Sequence, residues 1–126
     1  MKVKINTTIN KISREQIIII NNALRSLGLN TGLTGTRLIN KVIQILVIKD
    51  LEIIVLEDIY KEISTYYPNI KPVQMRKHIV SALQHRDYNK SENNFEKIFG
   101  FKHDEYYFEP KVFMEEIANV IRLEYI

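Results

Sequence analysis

Between Lys71 and Arg86 the chain carries Lys71, Arg76, Lys77, His78, His85 and Arg86, and no acid interrupts them before Asp87. Cations gathered this way suit a polyanion. Lys or Arg donates to guanine O6 and N7, Gln pairs with adenine, and an exposed Val meets a thymine methyl. At about 100° per residue, Pro72, Met75, Ile79, Ala82 and Leu83 fall on one side of a helix and must face a core. Val73, Lys77, Val80 and Gln84 lie opposite, flanked by Arg76 on one edge and by Gln74 and Ser81 on the other. These seven residues are the expected base readers. Lys71, Arg86 and Lys90 stand at the ends of the helix, where phosphate contact is expected to set register and affinity. Asn69 is the expected N-cap. Two valines on the solvent side of a basic helix call for a covering partner. DNA is the favoured one; a second chain, the N-terminal arm or the 101–109 loop are the alternatives.

Other chemistries find little support. The chain has no cysteine, which excludes disulfides, thiolate-bound zinc, iron–sulfur clusters and thiol nucleophiles together. His78 and His85 share a helix side but stand two turns, about 10.5 Å, apart, too far for one ion. His103 lies beside Asp104 and Glu105 and reads as part of a solvated acidic loop. Glu57/Asp58 and Glu115/Glu116 are sequence neighbours on helices, so each pair diverges and makes a poor acid–base dyad. The glycines at 28, 32 and 35 do not follow a strand and form no phosphate loop. Tyr66, Tyr67 and Tyr88 read as core and rim packing. The expectation is a protein without enzymatic activity, metal or cofactor.

The basic helix is the second of a pair. LEDIYKEISTYY (56–67), the break PNI (68–70) and KPVQMRKHIVSALQHRD (71–87) read as a helix-turn-helix, a short helix followed by a positively charged reader. Upstream, Ser13 with Gln16 makes a capping box for a helix that Gly28 stops near Leu27. Ile17 to Ile20 are β-prone, yet Ala23, Leu24 and Leu27 extend the apolar face at helical spacing. LGLNTGLTG (27–35) is a loop, with Thr34 or Thr36 to cap a helix carrying Leu38, Val42, Ile45 and Leu46 and ending near Asp50. Residues 52–55 fit either a turn or a short strand. After the pair come a polar connector (88–93), a short helix (92–99) closed by Gly100, a loop (101–109) and a last helix from Pro110. That last helix places Phe113, Ile117, Val120, Ile121 and Leu123 near one side.

The fold class is therefore all-α, about six helices in one domain (13–126) behind a basic arm (1–12). KVKINTTI (2–9) alternates polar with apolar, as a short strand or a basic arm would, and an arm is preferred because no partner strand is evident. Lys2, Lys4 and Lys11 within it, and Arg14 just after it, are expected phosphate contacts. A hydrophobic content of 45% with 26% charged residues is that of a globular chain, so wholesale disorder is not expected. The N-terminus has no apolar signal segment, and no apolar run approaches about 18 residues, so a cytoplasmic, nucleoid-associated protein without a membrane partner is expected.

The net charge of +3 hides an uneven distribution. Residues 1–49 carry +7, 50–70 carry −4, 71–102 carry +4 and 103–126 carry −4. Positive charge drawn into an arm and one helix suits phosphate contact better than the total implies.

The chain also resembles a known bacterial family, the C-terminal DNA-binding effector domain of the stage-zero sporulation master transcription regulator (sporulation initiation factor A). The similarity runs from about Ala23 to Glu124. It is carried by L-G-L-x-x-x-L-x-G (27–35), by the pair at 57–86 with Ile79, Ala82 and Leu83, by FEKIFGF (95–101), and by P-x-x-F-x-x-x-x-A-x-x-I-R-L-E (110–124). The resemblance implies six helices, promoter-type recognition and binding as a tandem pair or dimer on repeated boxes. It also implies a contact of the stretch 93–104 with an RNA polymerase sigma factor.

Two departures stand out. The family's base-reading positions fall here at Val73, Arg76, Lys77, Val80 and Ser81, where the family has a small hydroxyl residue, an acid, two arginines and a histidine. Only Lys77 is chemically close, and it lacks the bidentate fork of arginine, so a different DNA site is expected. The family's receiver domain has no counterpart in this sequence, which suits a stand-alone protein or an excised effector domain. The expected function is sequence-specific binding of double-stranded DNA, as a transcriptional regulator. An accessory DNA-binding protein of a plasmid, phage or conjugation system, and a module contacting polymerase or sigma factor, are the alternatives.

Overall fold

In the computed structural model, which describes residues 12–49 and 53–125, the chain is all-helical. Six α-helices are present among these residues: α1 (Arg14–Ser26), α2 (Thr34–Ile48), α3 (Leu56–Ser64), α4 (Pro72–Gln84), α5 (Tyr88–Phe99) and α6 (Pro110–Tyr125). A 3₁₀ turn at Glu105–Phe108 separates the last two, and no strand occurs among the described residues. Residues 53–55 thus form no strand, and the arm residues 1–11 lie outside the described residues.

The core is built around α2, whose apolar residues run around most of its circumference, the pattern of a central rather than a surface helix. Leu38, Ile39, Val42, Ile43, Ile45, Leu46 and Val47 are all buried, and α1, α3, α4 and α6 pack against it. Two of its three buried polar residues pair with one another, Gln44 Nε2 donating to Asn40 Oδ1 at 2.7 Å. Its C-terminal carbonyls, which a helix leaves without internal partners, are met by Arg122 of α6. That guanidinium donates to the carbonyls of Val47 and Lys49 at 3.2 Å each, and also to Leu46, placing a cation at the negative end of the helix dipole.

Several boundaries follow local chemistry. Ser13 caps α1 with a reciprocal Gln16 bond, and Gly100 (φ 84°) closes α5. Two caps differ from expectation. Leu33, not Thr34 or Thr36, is the N-cap residue of α2, with no side-chain cap, because packing draws the Thr36 hydroxyl inside, where it has no partner among the described residues. And α5 begins at Tyr88, so the stretch 88–93 is helix rather than connector. Its cause is Asp87, whose carboxylate accepts the N–H groups of Asn89 (3.1 Å) and Lys90 (3.2 Å). The expected loop 101–109 contains the 3₁₀ turn, with the Asp104 side chain accepting from Tyr106 N–H.

Two crossings hold α4 in place. A side chain at Gly35 would put its Cβ 1.9 Å from the His78 carbonyl oxygen, so α2 and α4 touch backbone to backbone there. Gly28, at φ +91°, accepts the Asp87 N–H at 2.8 Å, and its Cβ position lies 2.3 Å from the Asp87 carbonyl oxygen. The loop after α1 is thereby fastened to the joint between α4 and α5.

Candidate nucleic-acid interface

The unit α3–connection–α4 carries the site. Helix α3 buries Ile59, Tyr60 and Ile63, and α4 buries Met75, Ile79, Ala82 and Leu83, the inner face read from the wheel. The break between them is longer than the three residues of PNI: it spans 65–71. Pro68 explains this. It disfavours helical backbone at Tyr67 and cannot donate to the preceding turn. The chain leaves α3 through bonds from Tyr66 (2.9 Å) and Tyr67 (3.1 Å) N–H to the Ile63 carbonyl, then reverses with Ile70 N–H donating to Tyr67 O at 3.0 Å.

Asn69 therefore sits inside that reversal and is not the N-cap. Lys71 is, and its backbone N–H is received by Gln74 Oε1 at 2.9 Å, with Pro72 at the first helical position. Gln74 thus spends its amide oxygen on holding the first turn, which limits it as a base reader. The remainder of the outer face is open. Val73 is 60% exposed, and Arg76, Lys77, Ser81 and Gln84 are exposed. Among the described residues no ion pair engages Lys71, Arg76 or Lys77. Ser81 Oγ lies 3.3 Å from His85 Nδ1, which is also 2.8 Å from the Ser81 carbonyl.

Val80 divides the two readings of the outer valines. It is half-buried, in a shallow groove with Tyr88, Tyr106, Phe108 and Pro110, so part of it packs on the 3₁₀ segment as the alternative reading had it. Among the described residues Val73 has no such cover.

Arg86 is the clear correction. Expected on phosphate, it is only 5% exposed. It lies past the last residue of α4 and turns inward, donating to Ser91 Oγ (2.9 Å), to the Leu83 carbonyl (2.9 Å) and to Glu105 (2.5 Å). Its guanidinium carbon stands 3.6 Å from the Phe108 ring centre and 4.1 Å from that of Tyr88, two cation–π contacts. A guanidinium so fully engaged has nothing left for DNA. Ser91, which accepts from Arg86 and donates to Leu27 O, is a structural partner that no local pattern announced. Lys71, Lys90 and Arg14 are exposed, as phosphate contacts must be, while Lys2, Lys4 and Lys11 lie outside the described residues.

Of the tyrosines around the unit, Tyr66, Tyr67 and Tyr88 are exposed rim residues; the buried one is Tyr60. Among the described residues its hydroxyl has no hydrogen-bond partner. Burial, reinforced by Glu57 and opposed by Arg76, pushes its pKa up to about 12. Below pH 10 the group is neutral whether the chain is folded or not. Above pH 10 the unfolded chain ionises first, so stability falls until the folded group also ionises near pH 12. Tyr60→Phe is expected to be neutral or stabilising by up to about 1 kcal/mol at pH 7, since it deletes an unpaired polar atom. It should also recover on the order of 1 kcal/mol of the loss at pH 11. Urea melts of both proteins at the two pH values check this, and a clear loss of stability at pH 7 would mean that the hydroxyl has a partner.

Elsewhere, His103 Nε2 is 3.7 Å from Glu105, and no group of three metal-ligating side chains occurs among the described residues. No described helix is long and apolar enough to cross a membrane. No family model matches this chain, and comparison with curated proteins and with solved structures likewise returns no match.

Proposed function

We propose that this protein binds double-stranded DNA in a sequence-specific manner, with the outer face of α4 in the major groove, and that it regulates transcription. The carrying observation is that face: Arg76 and Lys77 are exposed, unpaired by any acid among the described residues, and adjoin a bare Val73. Adjacent cations left without an acid suit a polyanion, and an exposed valine beside them suits a thymine methyl. The reading contacts are then Val73, Arg76, Lys77, Ser81 and Gln84, with Val80 at the margin and Gln74 holding the first turn. Lys71 and Lys90 flank them as phosphate contacts. Regulation of promoters, and a tandem pair on DNA, are what the resemblance to the sporulation effector domains adds. An accessory role on a plasmid or phage would use the same face.

The test begins with selection of bound fragments from random duplex DNA. On the selected site, Arg76→Ala and Lys77→Ala should each weaken binding by about 1–3 kcal/mol, while Lys97→Ala on α5 leaves it unchanged. Equal affinity of wild type and both variants would rule this face out. Binding should also lose orders of magnitude between about 50 and 200 mM salt. A salt-indifferent interaction through Val73 would instead favour a protein partner such as polymerase or sigma factor.

A further inference from the structure

Beyond Gln84, α4 ends on His85, an exposed ring whose orientation the helix itself sets. His85 stands one turn after Ser81 and so shares that residue's side of α4. Its Nδ1 lies 2.8 Å from the Ser81 carbonyl oxygen. A carbonyl oxygen only accepts, so Nδ1 carries a proton and Nε2 of the neutral ring is a bare acceptor. Among the described residues Nε2 meets no partner, and a proton added there makes it a positively charged donor. His78 is exposed on the same helix, but no hydrogen bond among the described residues orients its ring.

The charged and titratable groups around this end of α4 leave that donor free. Asp87 spends its carboxylate on the N–H groups of Asn89 and Lys90, and Glu105 is held by Arg86. Tyr88 donates its hydroxyl to the Gln84 carbonyl at 3.1 Å, Tyr106 lies on the 3₁₀ turn, and Lys90 adds a cation on α5. Residues 27–36, which meet the joint at Gly28 and α4 at Gly35, carry no titratable side chain.

We infer that His85, when protonated, holds a phosphate of the duplex through Nε2 at the C-terminal end of α4, so that affinity for DNA rises as pH falls. The inference rests on the proposed reading of α4, whose outer side includes Ser81. Arg86, expected on phosphate at this end, is buried, and the residue before it is the one turned outward. A positive ring also suits the negative end of the helix dipole. Imidazole changes charge between about pH 5 and 8, so the contact is conditional: a bare Nε2 has no hydrogen to offer a phosphate oxygen. Such a contact adds affinity without reading bases, and it releases counterions only while the ring is charged.

The experiment measures binding of the full chain to the selected duplex and to an unrelated one at about pH 5.5 and about pH 8. Wild type should bind both duplexes more tightly at the lower pH, by up to about fivefold, the span of an exposed ion pair. Its salt dependence should be steeper there by about 0.9 in log K against log salt. His85→Ala should lose both differences and match wild type at the higher pH, while His78→Ala keeps them. His85→Lys, charged at both pH values, should bind tightly with the steeper slope at both. Indifference of wild type to pH, or a gain at low pH that survives His85→Ala, overturns the contact; Lys77→Ala still weakening the selected site then leaves the reading of α4 standing. Absence of duplex binding by the wild-type chain, or indifference of Lys77→Ala, overturns both.

Discussion

Gly35→Ala should destabilise the protein by about 3 kcal/mol or more, the upper range for forcing atoms into a packed interior. The added methyl would stand 1.9 Å from the His78 carbonyl oxygen and 2.9 Å from Ala82 Cβ. The first of these is backbone, so no rotamer change relieves it, and α2 and α4 must part. Because α2 anchors the core, the loss should appear as a global shift in a denaturant midpoint rather than as local fraying. Duplex binding, measured where the variant is still folded, should fall as well, since α4 would be displaced relative to α3. A midpoint within about 0.5 kcal/mol of wild type, the size of an ordinary surface substitution, would mean that the two helices do not meet there.

Arg86→Ala carries the second large effect, and its sign separates two roles for one cation. Truncation removes two cation–π contacts and the guanidinium's hydrogen bonds to the Leu83 carbonyl and the Ser91 hydroxyl of a buried network. Breaking a buried charged network costs about 3–5 kcal/mol, and Glu105, being well exposed, recovers its hydration and holds the value to the lower end. A fall in Tm of about 10 °C is expected for a domain of this size. The salt slope of duplex binding by the folded variant should stay that of wild type, because no phosphate contact has been lost. A reduced slope with unchanged Tm would restore Arg86 to the DNA surface and contradict the packing described above. Arg86→Lys should rescue little, since an ammonium cannot serve Leu83, Ser91 and Glu105 while lying flat on two rings.

The contrast between Arg86 and Arg76 shows where local pattern stops being informative. Both belong to the same basic run, and helical periodicity correctly put Met75, Ile79, Ala82 and Leu83 inside and Arg76 and Lys77 outside. Arg86 falls after the last turn, where a wheel has no meaning. Its direction depends on Phe108 and Ser91, which the chain brings in from elsewhere. Val80 and Gln74 show the same limit in milder form. One is half-covered by a segment that follows much later, and the other is recruited by the helix end.

What the chain determined on its own is whatever rests on neighbours within a turn or two. The capping box of Ser13 and Gln16, the stop at Gly100, Pro110 at a helix start and the apolar stripe of α4 all act over a few residues, so an all-helical fold could be read directly. Pro68 belongs with them, although the connection around it is longer than the three residues PNI. Tertiary structure alone decided which glycine is a contact point and which arginine is buried. Gly35 meets His78, and Arg122 meets the end of α2, only after distant segments pack. The physical reason is that burial and pairing are properties of a place in space, set by every helix that reaches it.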